Sequence, residues 1–254
     1  MRLFIIFIFS LVPFFAQSSH IVLIIDDMGN KPEDAAAFAL PQNIVFAILP
    51  NKPLSRPFSK RAAIQQREVI LHMPMESLSG VKQEKGVLLA SMSSTEIEHN
   101  LQMALDSVPN AIGLNNHMGS KFTQLSYPLS VTMDFLLENQ LFFIDSRTTR
   151  YSKAQLIADK KGVLNMKRHV FLDHVAKPEQ IDLQFNRLIE LSKKHGYAIA
   201  IAHPYPDTLE YLKTHLNLLE EQGITLAKIS ELVAYQSADA TGSHLVSSIS
   251  TLKD

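Results

Sequence analysis

The chain has 254 residues, no cysteine, no tryptophan and a formal net charge of −1 at pH 7. The lack of cysteine excludes disulfides, thiolate metal ligands and cysteine nucleophiles, so a metal site would have to use His, Asp and Glu, which points to zinc or another divalent first-row ion. A charge this close to zero, with both signs interspersed, gives no indication of nucleic-acid binding.

Residues 1–19 are predicted to be a secretory signal peptide. Arg2 supplies the positive start, residues 3–15 are almost unbroken apolar sequence, and Ala16 to Ser18 offer small residues for cleavage. A transmembrane anchor is the alternative, but the apolar run of about 13 residues is shorter than the ~20 needed to cross a bilayer. We therefore expect an exported protein, periplasmic or secreted, with no stable membrane insertion after the signal is removed.

Residues 20–235 alternate between strand and helix patterns. Apolar runs typical of strands buried on both faces occur at 21–25, 44–49, 69–71, 111–114, 141–144, 170–172, 197–202 and 224–227. Helical patterns lie between several of them, at 93–108, 177–194 and 206–222. This alternation predicts one α/β domain with a parallel sheet closed or nearly closed into a (β/α) barrel, with an open doubly wound sheet as the alternative. Residues 236–254, rich in Ser, Ala and Thr, are expected to form a poorly ordered tail.

Polar residues are concentrated where the predicted strands end. In a parallel barrel the carboxyl ends of the strands open onto one rim, and that rim holds the active site. The residues at these positions are Asp26, Asp27, His72, Glu76, Asn115, Asn116, His117, Asp145, Ser146, Arg147, Asp173 and His203. Because the fold would bring them together from distant parts of the chain, we predict a functional site at this rim.

Several of these residues also have simpler interpretations. Adjacent acids often form a solvated turn, but Asp26 and Asp27 directly follow five apolar residues of a buried strand and therefore need partners. A histidine after a strand, such as His72, is often a hydrogen-bonded core residue. Glu76 could cap a turn, and the segment 145–147 could be a structural ion pair. Their convergence on one rim is what favours a functional role.

This combination of residue types suits metal-assisted hydrolysis. One carboxylate and two imidazoles can hold a divalent ion while leaving positions open for water and a carbonyl oxygen. A second carboxylate outside the ligand set can accept the proton of the water. A histidine on the opposite side can protonate the leaving group or stabilise the oxyanion.

At these residues the sequence resembles the divergent polysaccharide deacetylase family, exported relatives of the metal-dependent carbohydrate esterases that remove acetyl groups from polysaccharides. The resemblance extends from about residue 21 to about residue 232. It rests on the segments Ile24–Gly29, Leu71–Glu76, Asn116–Ser120, Ile144–Thr148 and Ala202–Pro204. It implies a distorted (β/α) barrel of seven to eight parallel strands with a metal site at its rim, and with it the leading hypothesis is a cell-envelope polysaccharide as substrate.

The resemblance also implies roles for individual residues. Asp26 would act as the base, Asp27 would bind the metal, and His203 would assist the leaving group. The better-known deacetylases use both histidines of a His-x-x-x-His motif, but here Glu76 stands four residues after His72. His117, from the next strand, would then supply the second imidazole. The residues expected to contact the substrate are Glu76, Asn115, Asn116, Asp145, Ser146 and Arg147.

Two further functions are considered beside this leading hypothesis of acyl-group hydrolysis. The altered histidine motif is also compatible with a deacetylase-like scaffold that binds glycan or a partner protein without turnover. A glycoside hydrolase would instead use two rim carboxylates, such as Asp27 and Asp145, without a metal. The absence of tryptophan disfavours a long-chain glycosidase, because few aromatic platforms are available to stack on sugars.

Mass spectrometry of the exported protein is expected to give a mature amino terminus near Ser19 or His20. The physical reason is that the short apolar segment followed by small residues is a substrate for signal peptidase. Recovery of the protein in the membrane fraction with Met1 intact would identify the segment as an anchor instead.

Overall fold

The structure is a computed structural model, and it describes residues 19–80 and 86–235. The predicted signal peptide, apart from Ser19, and the predicted tail lie outside the described residues. The first strand begins at Ser19, one residue before the expected start of the domain. Among the described residues, no helix is both long enough and apolar enough to cross a membrane.

Strands and helices alternate along the described chain. The strands are β1 (Ser19–Met28), β2 (Val45–Ile48), β3 (Val69–Met75), β4 (Ala111–Met118), β5 (Phe142–Asp145), β6 (Asn165–Lys167), β7 (Val170–Phe171), β8 (Tyr197–Ala202) and β9 (Ile224–Leu226). The α-helices are α1 (Ser55–Ile64), α2 (Ser94–Ser107), α3 (Ser126–Glu138), α4 (Ala154–Lys161), α5 (Pro178–His195), α6 (Pro206–His215) and α7 (Asn217–Glu221). Short 3-10 helices span Pro32–Ala39 and Phe122–Gln124, and residues 229–235 are helical.

All strand pairs of the sheet are parallel, and their order is β6-β5-β4-β3-β2-β1-β8-β7. β9 pairs with the first residues of β1, below the point where β2 begins to pair with that strand. Each of the eight predicted runs corresponds to a strand, and the predicted distorted (β/α) barrel is confirmed. β6 was missed because it has three residues, two of them polar.

The two ends of the sheet are joined by Arg168 and His169, which connect β6 to β7. The backbone N–H of Arg168 donates to the carbonyl of Asp145 in β5 at 2.9 Å, and the next N–H, of His169, donates to the carbonyl of Ile199 in β8 at 2.8 Å. Nδ1 of His169 in turn accepts the N–H of Ile199 at 3.1 Å. One extended segment therefore switches from β5 to β8, so the curled sheet is held together at this point.

Alternate side chains of the strands pack on opposite faces of the curled sheet. One cluster fills its inner face and includes Val22, Ile24, Val45, Ala47, Ile70, Ile144, Met166, Ile199 and Ile201, with residues from the carboxyl-terminal helix such as Ile229 and Leu232. The larger cluster lies between the sheet and the surrounding helices. Each fully buried aliphatic side chain of this kind contributes about 1.5–3 kcal/mol. This packing explains how a chain without disulfides maintains the barrel.

The helices depart from the sequence prediction in two ways. The predicted helix 206–222 is wrong as a single element, because it divides into α6 and α7 at Leu216. Near this break the Thr214 hydroxyl donates to the carbonyl of Tyr211, and Nδ1 of His215 contacts the same oxygen, so side chains compete for the backbone of the last turn. Helices α1, α3 and α4 were not predicted.

We expect His169 to make the stability of the fold depend on pH. Burial, with the charge of Lys167 adding to it, lowers the pKa of His169 to about 4 from an ordinary value of 6.5. His169 therefore binds a proton more readily in the unfolded chain than in the folded one. Its contribution to the stability of the fold is complete above pH 6.5 and is lost as the pH falls toward 4. The free energy of unfolding is measured in urea at pH 7.5 and at pH 4.5. Between these two values the wild type should lose about 1–2 kcal/mol more of it than His169→Asn does, after allowance for partial solvent screening.

The asparagine variant is a close match because its Oδ1 can occupy the position of Nδ1 and accept the N–H of Ile199 without titrating. Equal pH dependence in the two proteins would show that His169 is not the group responsible.

Candidate active site

A bulge in β1 places both aspartates at the rim. Along β1 the pairing with β2 advances three residues, from Ile25 to Met28, while β2 advances only two. Asp27 has a φ of 59°, in the left-handed region, as the first residue of one class of β-bulge does. Consecutive side chains of a regular strand point to opposite faces. Here the bulge brings Oδ2 of Asp26 to 3.6 Å and Oδ1 of Asp27 to 3.2 Å from Nε2 of His72.

A second bulge, in β4, turns His117 toward the same point. The pairing with β3 advances three residues along β4, from Ala111 to Leu114, and only two along β3. Ile112 packs against the inner cluster whereas Leu114 belongs to the outer one, although a regular strand would put both on one face. The extra residue therefore moves Asn115 and His117 to the inner side.

Asp27, His72 and His117 bring three ligand-type atoms together. Oδ1 of Asp27 lies 3.2 Å from Nε2 of His72 and 3.0 Å from Nδ1 of His117, and the two nitrogens are 3.0 Å apart. Ligand atoms about 2.0 Å from a tetrahedral ion are roughly 3.3 Å from each other. Within the described residues, Oδ1 of Asp27 is also buried without a well-formed hydrogen bond. The donor set therefore fits a metal ion.

Asn115 links Asp26 to His72. Its Nδ2 donates to Oδ1 of Asp26 at 2.8 Å, and its Oδ1 lies 2.7 Å from Nδ1 of His72. Since a carbonyl oxygen can only accept, Nδ1 of His72 carries the proton in this contact. The lone pair of a neutral His72 is then on Nε2, which faces Asp27, and a hydrogen bond of this kind is how proteins orient a metal-binding imidazole.

The charges of the cluster favour a cation at its centre. Burial would raise the pKa of Asp27, but His117 and His72 hold it well below its ordinary value. Burial raises the pKa of Asp26 against the opposing effect of His72 and other partners. Burial lowers the pKa of His72, but the charge of Asp26 and the contacts with Asp27 raise it to about 9. A bound divalent ion would neutralise the charge of Asp26 and Asp27, as the positive charge of protonated His72 does without it.

His203 faces the cluster from β8 and is held by Asp173. Oδ1 of Asp173 lies 2.9 Å from Nδ1 of His203, and its Oδ2 accepts the backbone N–H of His203 at 2.7 Å. Nε2 of His203 points toward Oδ2 of Asp27, 3.9 Å away. Burial would lower the pKa of His203, but the hydrogen bond and charge of Asp173 raise it. His203 is thus fitted to carry a proton at the open side of the site.

Asp145 and Arg168 support the floor of the site. Asp145 is fully buried, and its Oδ1 accepts the backbone N–H of Arg147 at 2.8 Å. Arg168 lies within electrostatic range of Asp145 and Asp26. Its side chain donates to the carbonyls of Ser146 and Arg147, at 2.7 and 3.1 Å. This network fixes the backbone that follows β5.

Four of the six residues predicted to contact the substrate are buried. The buried members are Asn115, Asn116, Asp145 and Ser146. Asn116 accepts the backbone N–H of Ser146 at 2.9 Å and donates to the carbonyl of Met118 at 2.7 Å. The substrate contacts predicted for these four residues stay predictions; their side chains are buried, whereas the Arg147 side chain keeps 31% of its surface exposed.

Glu76 lies outside the donor cluster. Its carboxylate pairs with Lys121 at 2.6 Å and accepts the backbone N–H of Ala90 at 2.7 Å. The residue thus joins the chain after β3 to the chain after β4. The predicted substrate contact of Glu76 stays a prediction, and His117 is the residue that completes the donor set.

Four residues around the site were given no role by sequence reasoning. Asp173 follows the strand run 170–172, and this position was a usable signal that was not assigned a role. Arg168 gave no signal, because its position at the junction of β6 and β7 depends on the closure of the sheet. Phe171 and Tyr205, on the two faces of the His203 ring at 5.4 and 5.2 Å, also became visible only in the structure.

Replacing His117 with Ala is expected to weaken divalent metal binding by about 100-fold or more, since removal of supporting residues alone costs 10–100-fold. Metal content after equilibrium dialysis, measured by mass spectrometry, checks this. His99→Ala, at an exposed position on α2, is the matched control and should bind as the wild type does. Full occupancy in His117→Ala would exclude this residue as a ligand.

Comparison with known proteins places the chain among relatives of similar fold. It matches the family model for divergent polysaccharide deacetylases over residues 23–233. It is 42% identical over 208 residues to an uncharacterized protein of Haemophilus influenzae, covering 82% of this chain and 74% of that protein. The crystal structure of an uncharacterized protein from Agrobacterium tumefaciens superposes with a TM-score of 0.82 at 18% identity, covering 86% and 90% of the two chains.

A more distant structural match is the catalytic domain of a peptidoglycan N-acetylglucosamine deacetylase from Eubacterium rectale. Its TM-score is 0.53 at 12% identity, with 83% of this chain and 88% of that chain covered. At such identities the structural matches show the fold alone. The family model, in contrast, spans nearly all the described residues, and the chain belongs to the divergent polysaccharide deacetylase family.

Proposed function

We propose that this protein is exported and is a zinc-dependent hydrolase that removes acetyl groups from a cell-envelope polysaccharide. The observation that carries the proposal is the meeting of the donors of Asp27, His72 and His117 at one point of the rim, with Asp26 and His203 beside them. Two imidazoles and a carboxylate at tetrahedral spacing favour zinc. Family membership supports an acylated polysaccharide as the substrate class.

Asp26 is the residue placed to accept a proton from the attacking water. A bound ion would polarise the acyl carbonyl and make water more acidic. Asp26 lies outside the donor set, and a carboxylate that does not bind the ion keeps its basicity. Asn115 occupies Oδ1 of Asp26, while Oδ2 lies 3.6 Å from Nε2 of His72 and remains the oxygen available for the proton.

His203 is placed to donate a proton to the departing nitrogen or oxygen. Its Nδ1 is held by Asp173, so Nε2 is the atom directed into the site. Asp173 favours the protonated imidazole by its charge and stabilises the orientation that the donation requires. Asp26 and His203 thus divide the two proton transfers of hydrolysis, each beside the donor set.

A scaffold that binds glycan without turnover is the second candidate. Glu76 favours it, because this residue stands where the better-known deacetylases have a metal-binding histidine, and it is used in the ion pair with Lys121. The glycoside hydrolase hypothesis loses support, since Asp145 was its example of a second rim carboxylate. That carboxylate is fully buried beneath the backbone of Arg147.

Asp26→Asn is expected to retain zinc and to lose ~10²-fold or more in kcat/KM for acetate release, the usual contribution of a positioned base. The amide keeps the shape of the side chain and its position beside Asn115 but cannot accept the proton. Acetate released from N-acetylated oligosaccharides and from acetylated peptidoglycan, together with zinc content, provides the two measurements.

His203→Ala should behave in the same way, and His99→Ala should keep full activity. Loss of zinc from Asp26→Asn would exchange the roles of Asp26 and Asp27. A zinc-loaded wild-type protein that binds acetylated glycans but releases no acetate would overturn the hydrolase in favour of the scaffold.

A further inference from the structure

The loop between β5 and α4, residues 147–153, is strongly cationic. Its sequence Arg-Thr-Thr-Arg-Tyr-Ser-Lys contains three basic residues, and no acidic residue occurs between Asp145 and Asp159. The four remaining residues all carry a hydroxyl group. Arg150, Tyr151 and Lys153 are all exposed. The loop therefore presents positive charge and hydrogen-bond donors to solvent.

This β5–α4 loop is fixed beside the donor set. The Thr148 hydroxyl donates to the carbonyl of Met118 at 2.7 Å, and Met118 directly follows the proposed ligand His117. The backbone N–H of Lys153 donates to the carbonyl of Thr123 at 2.8 Å. Both ends of the loop are thus attached to the chain that leaves β4, next to the site.

The positive charge of the loop is largely unneutralised by the protein. Asp145 contacts the loop, at 3.6 Å from Nη1 of Arg147, but it is buried and is also within electrostatic range of Arg168. In the described part of the chain, no carboxylate lies within 4 Å of the charged groups of Arg150 or Lys153. The single carboxylate of Asp145 therefore cannot neutralise all the basic side chains of the loop.

Apart from the contact between Arg147 and Asp145, the arginine side chains of the loop make weak or local hydrogen bonds that a ligand can replace. The Arg147 guanidinium reaches the carbonyls of Ser152 and Arg150 at 3.5 and 3.3 Å, near the outer limit for hydrogen bonds. Arg150 donates to the hydroxyl of its neighbour Tyr151 at 2.9 Å and lies over that ring. Arg147 also has a φ of 51°, a conformation found at ligand-binding segments more often than elsewhere.

We infer that the β5–α4 loop is a subsite for an acidic group of the substrate, so that the glycan carries a carboxylate or phosphate close to the acyl group. The guanidinium fork binds both of these oxyanions with paired hydrogen bonds. The inference rests on the proposed function, because it places the acyl group at the donor set and the acidic group beside it. It adds to that function a preference for acidic over neutral glycans.

The test compares two N-acetylated tetrasaccharides of equal length. One is the chitin tetrasaccharide, which is neutral, and the other alternates N-acetylglucosamine with glucuronic acid. Zinc-loaded wild-type protein should favour the acidic one by about 10-fold in kcat/KM, and the preference should fall as sodium chloride is raised. N-acetylglucosamine 6-phosphate and N-acetylglucosamine are then compared as competitors of the acidic tetrasaccharide. Stronger competition by the phosphate indicates phosphate recognition, and equal competition indicates carboxylate recognition.

Arg150→Gln should raise KM for the acidic tetrasaccharide about 5–10-fold and leave the neutral one unchanged, with kcat preserved for both. Arg61→Gln, an exposed arginine on α1, is the matched control and should keep the preference. Equal use of the two tetrasaccharides by the wild type, or an acidic preference that persists in Arg150→Gln, would overturn the inference.

Failure of the proposed function is separated by calorimetry. If neither tetrasaccharide is deacetylated, binding that is tighter for the acidic one and is weakened by Arg150→Gln supports the subsite on a protein without turnover. Binding with no such difference overturns the subsite as well.

Discussion

The backbone bulge at Asp26 and Asp27 is the constraint on which the site depends, because adjacent residues of a regular strand cannot serve one point. One extra residue in β1 and a left-handed Asp27 turn both carboxylates toward His72. A β-bulge in β4 does the same for His117. Strained backbone at such positions persists only where the surrounding structure enforces it, and here buried strands on both sides of β1 provide that enforcement.

Burial then couples the residues that the bulges bring together. Asn115 makes hydrogen bonds with both the proposed base, Asp26, and the proposed ligand, His72, so neither can shift without disturbing the other. His203 is fixed in a separate pair with Asp173 at the end of the neighbouring strand β8. The proposed proton acceptor and the proposed proton donor are therefore each held by their own hydrogen bonds beside one donor set, as a reaction with two proton transfers requires.

The barrel could be predicted well from the sequence, because a strand that is buried on both faces consists of an uninterrupted run of apolar residues. The prediction misses β6, which is short and polar, and with it the closure through Arg168 and His169. The rim residues were identifiable because polar side chains directly follow those runs. Which of these side chains are buried depends on strand register: Asn115 is buried and Arg147 only partly exposed, because of their positions relative to the neighbouring strands. Asp173 was visible at a strand end, but its partnership with His203 joins residues 30 positions apart.

The most direct test of the account is the coordination of zinc in the wild-type protein, measured by X-ray crystallography with anomalous scattering at the zinc absorption edge. We expect one anomalous peak bonded to Asp27, His72 and His117, with Asp26 beside it but outside bonding distance and Glu76 still paired with Lys121. A peak bonded to Asp26 or Glu76, or no peak at this point of the rim in zinc-saturated crystals, would contradict the account.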